Sequence, residues 1–294
     1  MTYRIGVDAG GTKISAGLVA GNKLIRKIKI PTEQGKGRNQ VIKNILKAIS
    51  IVSQGIEKKE IEMIGIGLAG PVDSTNGILK FAPNIKGMQN LPVRKIVEKA
   101  SGIKTIVEND AKCVALAESR QFKCKNLIAL TLGTGVGGGI IIDGKIYHGS
   151  NYAGELGHIV IDYRGYKCSC GNNGCLEEYC SGRGVERLAK KYFGKAIPPL
   201  EVQRMAEAGN KKAIQVYNEF GTYLGIGLAD YVNIFNPEMI VIGGGIGRAW
   251  KLFLPSAIKE MRKRAFDVSS STVKVVPSKL EVDEAGILGV SSLD

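Results

Sequence analysis

Short apolar runs alternate with longer amphipathic stretches along this chain, the pattern of an α/β protein. An apolar strand begins within the first few residues and ends in a glycine-rich turn. Residues 11–24 read GTKISAGLVAGNKL, and residues 133–146 read GTGVGGGIIIDGKI. Gly11/Gly133, Thr12/Thr134, Gly17/Gly139 and Lys23/Lys145 pair up, and Ile14/Val136, Leu18/Ile140 and Leu24/Ile146 are apolar in both. Each segment predicts a strand, a glycine-rich turn, a second strand, and a Gly-Asn or Asp-Gly turn into a third. A second match pairs EMIGIG at 62–67 with EMIVIG at 238–243. Each follows an amphipathic stretch, near 39–53 and 211–235, and each ends a buried strand in glycines. Beyond them the pattern predicts helix, strand, helix: 91–101, 103–108 and 111–119, then 248–264, 272–276 and 284–293.

The halves therefore share one architecture. More residues separate the two matches in the second half, so that half carries an insertion, and a cysteine cluster sits in it. Two related α/β units predict a cleft, with ligands at the carboxyl ends of strands and the glycine turns meeting across it. The expected division is 1–113 plus 284–294 for the first domain and 114–283 for the second, with the insertion at about 148–200. The repeat symmetry would pack the final helix back on the first domain.

Composition changes this picture little, apart from glycine. The 39 glycines are about twice the ordinary share, and their clustering points to close backbone approaches. The net charge of +14 is spread along the chain with no basic tail or basic-aromatic block, so it reads as a lysine-rich solvated surface and not as a nucleic-acid footprint. The opening strand leaves no signal peptide, and no run of about 18 apolar residues could span a bilayer, so a cytoplasmic protein is expected. Four of the six cysteines fall within 168–180, which in a reducing compartment points to metal.

Three constellations carry candidate chemistry. The turns Asp8-Ala9-Gly10-Gly11-Thr12-Lys13 and Leu132-Gly133-Thr134-Gly135-Val136-Gly137-Gly138 leave backbone N–H groups uncovered for phosphate oxygens. The alternative is a pair of tight hairpins with no ligand; the duplication favours phosphate. Gly133-x-Gly135-x-x-Gly138 is nominally a dinucleotide fingerprint, but the apolar run Ile140–Ile142 continues as a strand where a helix is required. Asp8 could hold Mg²⁺ through water. Next, Glu108-Asn109-Asp110 ends a strand and starts a helix: either Asn109 or Asp110 caps the helix, or Asp110 is a general base, and the two are compatible. Last, His158, Cys168, Cys170 and Cys175 form a closed N/S set suited to structural Zn²⁺, with Gly171 and Gly174 letting the chain wrap the ion. The alternatives are unpaired core thiols or a disulfide between Cys168 and Cys175, and Cys180, farther along, could substitute for one ligand. Cys113 and Cys124 read as buried thiols, and His148 has no role in this reading. Glu155 and Glu177 flank the metal set, where a closed site would lock both carboxylates for sugar hydroxyls.

The segments DAGGTK, LGTGVGGG, END, Gly154-Glu155-Leu156-Gly157-His158, CSCGNNGCLE and VIGGG resemble, in order and over essentially the whole chain, the ROK family of sugar kinases and sugar-sensing repressors. The resemblance implies the actin/hexokinase-like ATPase fold, here two duplicated α/β domains around a cleft with a zinc-binding insertion in the second. It implies that Asp110 is the catalytic base and that Asn109, Glu155, His158 and Glu177 bind sugar, with Gly70 and Asn84 on the other wall. It also implies Zn²⁺ on His158, Cys168, Cys170 and Cys175. The ATP phosphates would lie on Gly10–Lys13 and Gly133–Gly138, and the adenosine on Gly243, Gly244 and Gly245. Lys86-Gly87-Met88 departs from the many relatives that carry an aromatic residue after the glycine.

The implied reaction is ATP- and Mg²⁺-dependent phosphorylation of a neutral hexose at its 6-hydroxyl by a homodimer with no nucleic-acid or membrane partner. Glucose is favoured. N-acetylglucosamine and N-acetylmannosamine are alternatives, the former suggested also by Ser181-Gly182-Arg183-Gly184, and fructose ranks lower. A sugar-responsive repressor would need a helix-turn-helix before the first strand. An actin-like ATPase would have no use for GELGH or the cysteine cluster.

Overall fold

The computed structural model describes residues 2–82 and 87–293. Strands β1 (Tyr3–Ala9), β2 (Lys13–Ala20) and β3 (Lys23–Pro31) form an antiparallel meander. Helix α1 (Arg38–Val52) and strand β4 (Ile61–Leu68) follow. Next come the short strands β5 (Val72–Asp73), β6 (Ile78–Phe81) and β7 (Gln89–Leu91), helix α2 (Val93–Ser101), strand β8 (Thr105–Asn109) and helix α3 (Asp110–Phe122). Strand β4 lies parallel to β1, and β8 parallel to β4, giving the sheet order β3-β2-β1-β4-β8. On α1 the buried positions Val41, Ile45, Ala48, Ile49 and Val52 recur every three or four residues, so one face of the helix seals the sheet. Each fully buried Val, Ile or Leu contributes roughly 1.5–3 kcal/mol. No periodicity along the chain signals the sheet β5-β6-β7. Its strands are two to four residues long, too short for a period to show.

After α3 come β9 (Leu127–Leu132), β10 (Val136–Ile142) and the two-residue β11 (Lys145–Ile146). Helices α4 (Leu176–Cys180), α5 (Gly182–Phe193), α6 (Pro199–Glu207) and α7 (Lys211–Phe235) occupy the insertion and its sequel. The chain closes with β12 (Met239–Gly243), α8 (Gly244–Gly247), α9 (Trp250–Arg264), α10 (Asp267–Ser270), β13 (Lys274–Pro277) and α11 (Val282–Val290). Strand β9 pairs antiparallel with β10 and parallel with β12, and β12 parallel with β13. That is the pairing of β1 with β2 and β4, and of β4 with β8, so the sequence repeat is also a topological one. No helix follows the Gly133 turn; β10 does, as the apolar run predicts.

The chain divides into two compact units: Met1–Lys123 with Gly144–Ala153 and Leu280–Asp294, and Cys124–Asp143 with Gly154–Lys279. The division expected at residue 113 would cut α3, whose residues Ala111 to Ser119 are largely buried and which packs on α11. The helix stays whole in the first unit. Residues 144–153 also belong there and not to the insertion, because Lys112 Nζ donates to Asn151 O at 2.8 Å and His148 meets Glu108. In the second unit α7 packs along α9, with Phe220 and Phe253 edge to face at 5.1 Å. Asn210 caps α7 by accepting the Ala213 N–H at 3.1 Å. No helix among the described residues is long and apolar enough to cross a membrane.

Candidate active site in two half-sites

In the first unit the β1–β2 turn is closed by the Gly10 N–H donating to Lys13 O at 3.0 Å. Thr32 braces it, its hydroxyl donating to Gly10 O at 2.8 Å. At Gly11 nothing beyond its two chain neighbours lies within 4 Å of where a Cβ would stand. Lys13 forms an ion pair with Asp283 at the start of α11, and Lys29 shares that carboxylate at 2.9 Å. Asp8 ends the same strand beneath the turn. Burial, then the nearby charge of Asp110, push its carboxyl up to about 7, with Lys13 working against them.

At the end of β8 the duties divide. Asn109 caps α3: its Oδ1 accepts the Lys112 N–H at 3.1 Å, and its Nδ2 donates to Gly70 O at 3.1 Å. Asp110 is the first helical residue, half-buried, with Oδ1 accepting the Ala111 N–H at 2.8 Å. The structure thus brings Asp8, Gly70, Asn109 and Asp110 to one end of this sheet. Asn84 lies outside the described residues. Glu108, to which no local pattern assigns a role, is buried among donors. Its Oε1 accepts the Asn109 N–H at 2.7 Å, and its Oε2 takes the Ser74 hydroxyl at 2.8 Å and faces His148 Nε2 at 2.6 Å. Burial raises its carboxyl, but the hydrogen bonds from His148 and Asn109 and the charge of Lys112 outweigh that and hold it below the usual range.

The second unit has its own turn between β9 and β10. The Gly133 N–H donates to Gly135 O at 2.9 Å, and the Gly182 N–H to Gly133 O at 2.8 Å, so the start of α5 sits on the turn beside Thr134. Open space surrounds the Cβ positions of Gly133 and Gly245. Gly135 is different: a Cβ there would collide with the Glu177 carboxylate, whose Oε2 accepts the Val136 N–H at 2.9 Å. Gly137 lies within β10, and a Cβ at Gly138 would press on Leu156 at 2.7 Å, so packing explains Gly138 without a ligand. Likewise Gly244 backs onto Leu132, just past the strand end at Gly243.

The thiols and imidazole converge as their spacing predicts. One donor atom from each of His158, Cys168, Cys170 and Cys175 lies within 4.8 Å of all the others. Cys170 and Cys175 Sγ are 3.5 Å apart, and Cys168 Sγ is 3.7 Å from His158 Nδ1. Tetrahedral bonds of about 2.0–2.3 Å place donors about 3.5–3.8 Å apart, so the set fits Zn²⁺. All six cysteines are free thiols, which removes the Cys168–Cys175 disulfide alternative. Cys180 is fully buried with its thiol toward Phe220 O, away from the set. Because Nδ1 of His158 faces the thiols, Nε2 is the nitrogen left over. Glu155 precedes the short turn Leu156–His158 and is exposed; Tyr231 fixes that turn by donating to Leu156 O at 2.5 Å. Glu177 and Cys168 also lie within one 4.8 Å cluster, so the thiol loop and the glycine turn abut. Arg183 reaches Glu177 at 3.4 Å and Glu178 at 3.3 Å, a link that no local pattern signals.

A family model described as the ROK family matches residues 4–294. The chain belongs to the ROK family. This ROK chain is 35% identical over 309 residues to a glucokinase from Thermotoga maritima, covering 98% of this chain and 96% of that one. It is 31% identical to an N-acetyl-D-glucosamine kinase from Haemophilus influenzae, with 98% of each covered. Among solved structures it resembles a ROK family glucokinase from Streptomyces griseus in complex with glucose and AMPPNP, at TM-score 0.82 and 32% identity, covering 98% of both chains.

Proposed function

We propose that this ROK chain transfers the γ-phosphoryl group of ATP to the 6-hydroxyl of a neutral hexose, glucose first among them. The observation that carries the reading is the division of duties at the end of β8. Asn109 accepts the Lys112 N–H as the helix cap, and Asp110, the next residue, stands half-buried at the strand end beside Asp8. Asp110 accepts the hydroxyl proton as the oxygen attacks. Gly11 and Gly133 hold no left-handed backbone, and a Cβ on either would meet no neighbour, so the fold itself does not demand glycine there. A phosphate approaching the N–H groups of Gly10–Lys13 and Gly133–Gly135 does demand it. Asp8 would hold Mg²⁺ through water, and the ion would offset charge on the phosphates.

Zn²⁺ on His158 Nδ1, Cys168, Cys170 and Cys175 would fix the loop that carries Glu155 and Glu177. Those carboxylates, Asn109 and His158 Nε2 then pair sugar hydroxyls. This shell, with Asn84, holds acceptors and amides and repels sugar acids and sugar phosphates. A homodimer in the cytoplasm, with no nucleic-acid or membrane partner, completes the proposal.

ADP release with glucose, N-acetylglucosamine, N-acetylmannosamine, mannose and fructose tests it. Glucose is expected to give the highest kcat/KM. N-acetylglucosamine is the second reading, favoured by the kinase relative named for that sugar. Turnover of anionic sugars alone overturns the pocket assignment. ATP binding with no turnover of any sugar points instead to a sensor.

A further inference from the structure

Glu108 and His148 have no part in the reaction just described, yet they meet at a buried carboxylate two residues before Asp110. The Glu108 side chain is 2% exposed, and its two oxygens receive groups from three separate stretches of chain. These are the N–H of Asn109 itself, the Ser74 hydroxyl from the β5–β6 turn, and Nε2 of His148 from the segment 144–153. Each stretch is held a second time. Arg94 donates to Ser74 O at 2.7 Å and to Thr75 O at 2.9 Å, fixing the turn. Lys112, on the first turn of α3, donates to Asn151 O, three residues beyond His148. Asn109 Nδ2 ties the strand end to Gly70 O.

We propose that Glu108 and His148 are positioning residues for the sugar-side wall of the first unit, acting through the backbone of Asn109. The inference rests on the kinase reading above. A buried carboxylate with three donors has a single satisfactory arrangement, and removing one donor leaves charge uncompensated and the carboxylate able to turn. Turning it releases the Asn109 N–H, and with it the register of the Asn109 amide and the Asp110 carboxylate one residue on. The same His148 contact holds 144–153, the segment that leads directly into Gly154 and Glu155.

The experiment compares His148→Leu, His148→Gln and Glu108→Gln with the wild-type chain in steady-state kinetics, varying sugar and ATP separately. His148→Leu is expected to lower kcat/KM for sugar roughly 10- to 100-fold, the scale of a small misplacement of reacting groups, while KM for ATP stays within about twofold. The glutamine amide places an N–H where Nε2 stood, so His148→Gln recovers most of the loss. Glu108→Gln behaves like His148→Leu, and the double variant is no worse than the poorer single one, because both act through one contact. The inference is overturned if His148→Leu leaves the sugar kcat/KM unchanged. It is equally overturned if sugar and ATP parameters fall together, or if His148→Gln is as impaired as His148→Leu. Failure of the kinase reading looks different: the wild-type chain itself turns over no sugar.

Discussion

The two half-sites are held by different means. In the first unit the candidate residues sit where regular elements end: Asp8 on β1, and Asn109 and Asp110 at the junction of β8 and α3, fixed by ladders and a cap. In the second unit Glu155 and His158 lie in an irregular segment and Glu177 at the start of α4 just after it. Turn and bridge hydrogen bonds hold that segment, among them the Ile161 N–H to Gly174 O at 2.9 Å, the Gly174 N–H to Tyr166 O at 2.7 Å and the Leu176 N–H to Ile159 O at 2.9 Å. These are turn bonds and not a ladder, and the convergent thiols and imidazole would add a further constraint on sharing an ion. Position by secondary structure survives the loss of one side chain; position by coordination does not.

The largest effect expected from this contrast is on Asp110. Asp110→Asn is expected to lower kcat by about 10²–10⁴ while sugar affinity and thermal stability hold, since Asn109 keeps the cap. A variant that retained more than about a tenth of wild-type kcat would make Asp110 a structural residue.

Cys170→Ser and Cys175→Ser test the other half-site. Protein purified without added zinc is expected to carry one ion per chain by metal analysis, and the variants to lose it. Sugar KM should then rise about 10- to 100-fold and the melting temperature should fall. Unchanged metal content and sugar affinity in both variants would sever the thiol set from Glu155 and Glu177.

The smallest effect is a pH dependence in magnesium-free protein. Asp8 titrates near 7 in the folded chain against an ordinary 3.8, so the native state holds a proton that the unfolded chain has lost. The proton's contribution is complete below the unfolded value and is lost as pH rises through the folded one, so stability declines between about pH 4 and 7. Asp8 faces Asp110, Lys13 and Asp283, and all three stay in place in Asp8→Asn. That variant should flatten the decline, read as the difference in melting temperature between pH 5 and pH 8. An identical slope in both proteins would show that Asp8 is ionised throughout.

How much of this was legible beforehand follows from the range of each interaction. Helices α1 and α7 follow a 3.6-residue period, and the duplicated hairpins and the strands ending at Leu68 and Gly243 are short apolar runs bounded by glycine turns, signals that neighbours along the chain carry. The histidine-cysteine set was legible for a chemical reason: four soft donors within eighteen residues have few other uses. The sheet β5-β6-β7 was not, because strands of two to four residues leave no period. Nor was the whole of α3 in the first unit, since its packing on α11 joins segments far apart in sequence.

The amino-acid order by itself determined the repeat, the strand ends and the type of chemistry each cluster can do. Only the tertiary structure decided how duties are shared: Asn109 as the cap beside Asp110, Lys13 on Asp283, Glu177 against Gly135, and His148 on Glu108 across forty residues. A side chain's donors and acceptors are written in the sequence. Their partners are set by which segments the packed core brings within about 3 Å, and no local pattern encodes that distance.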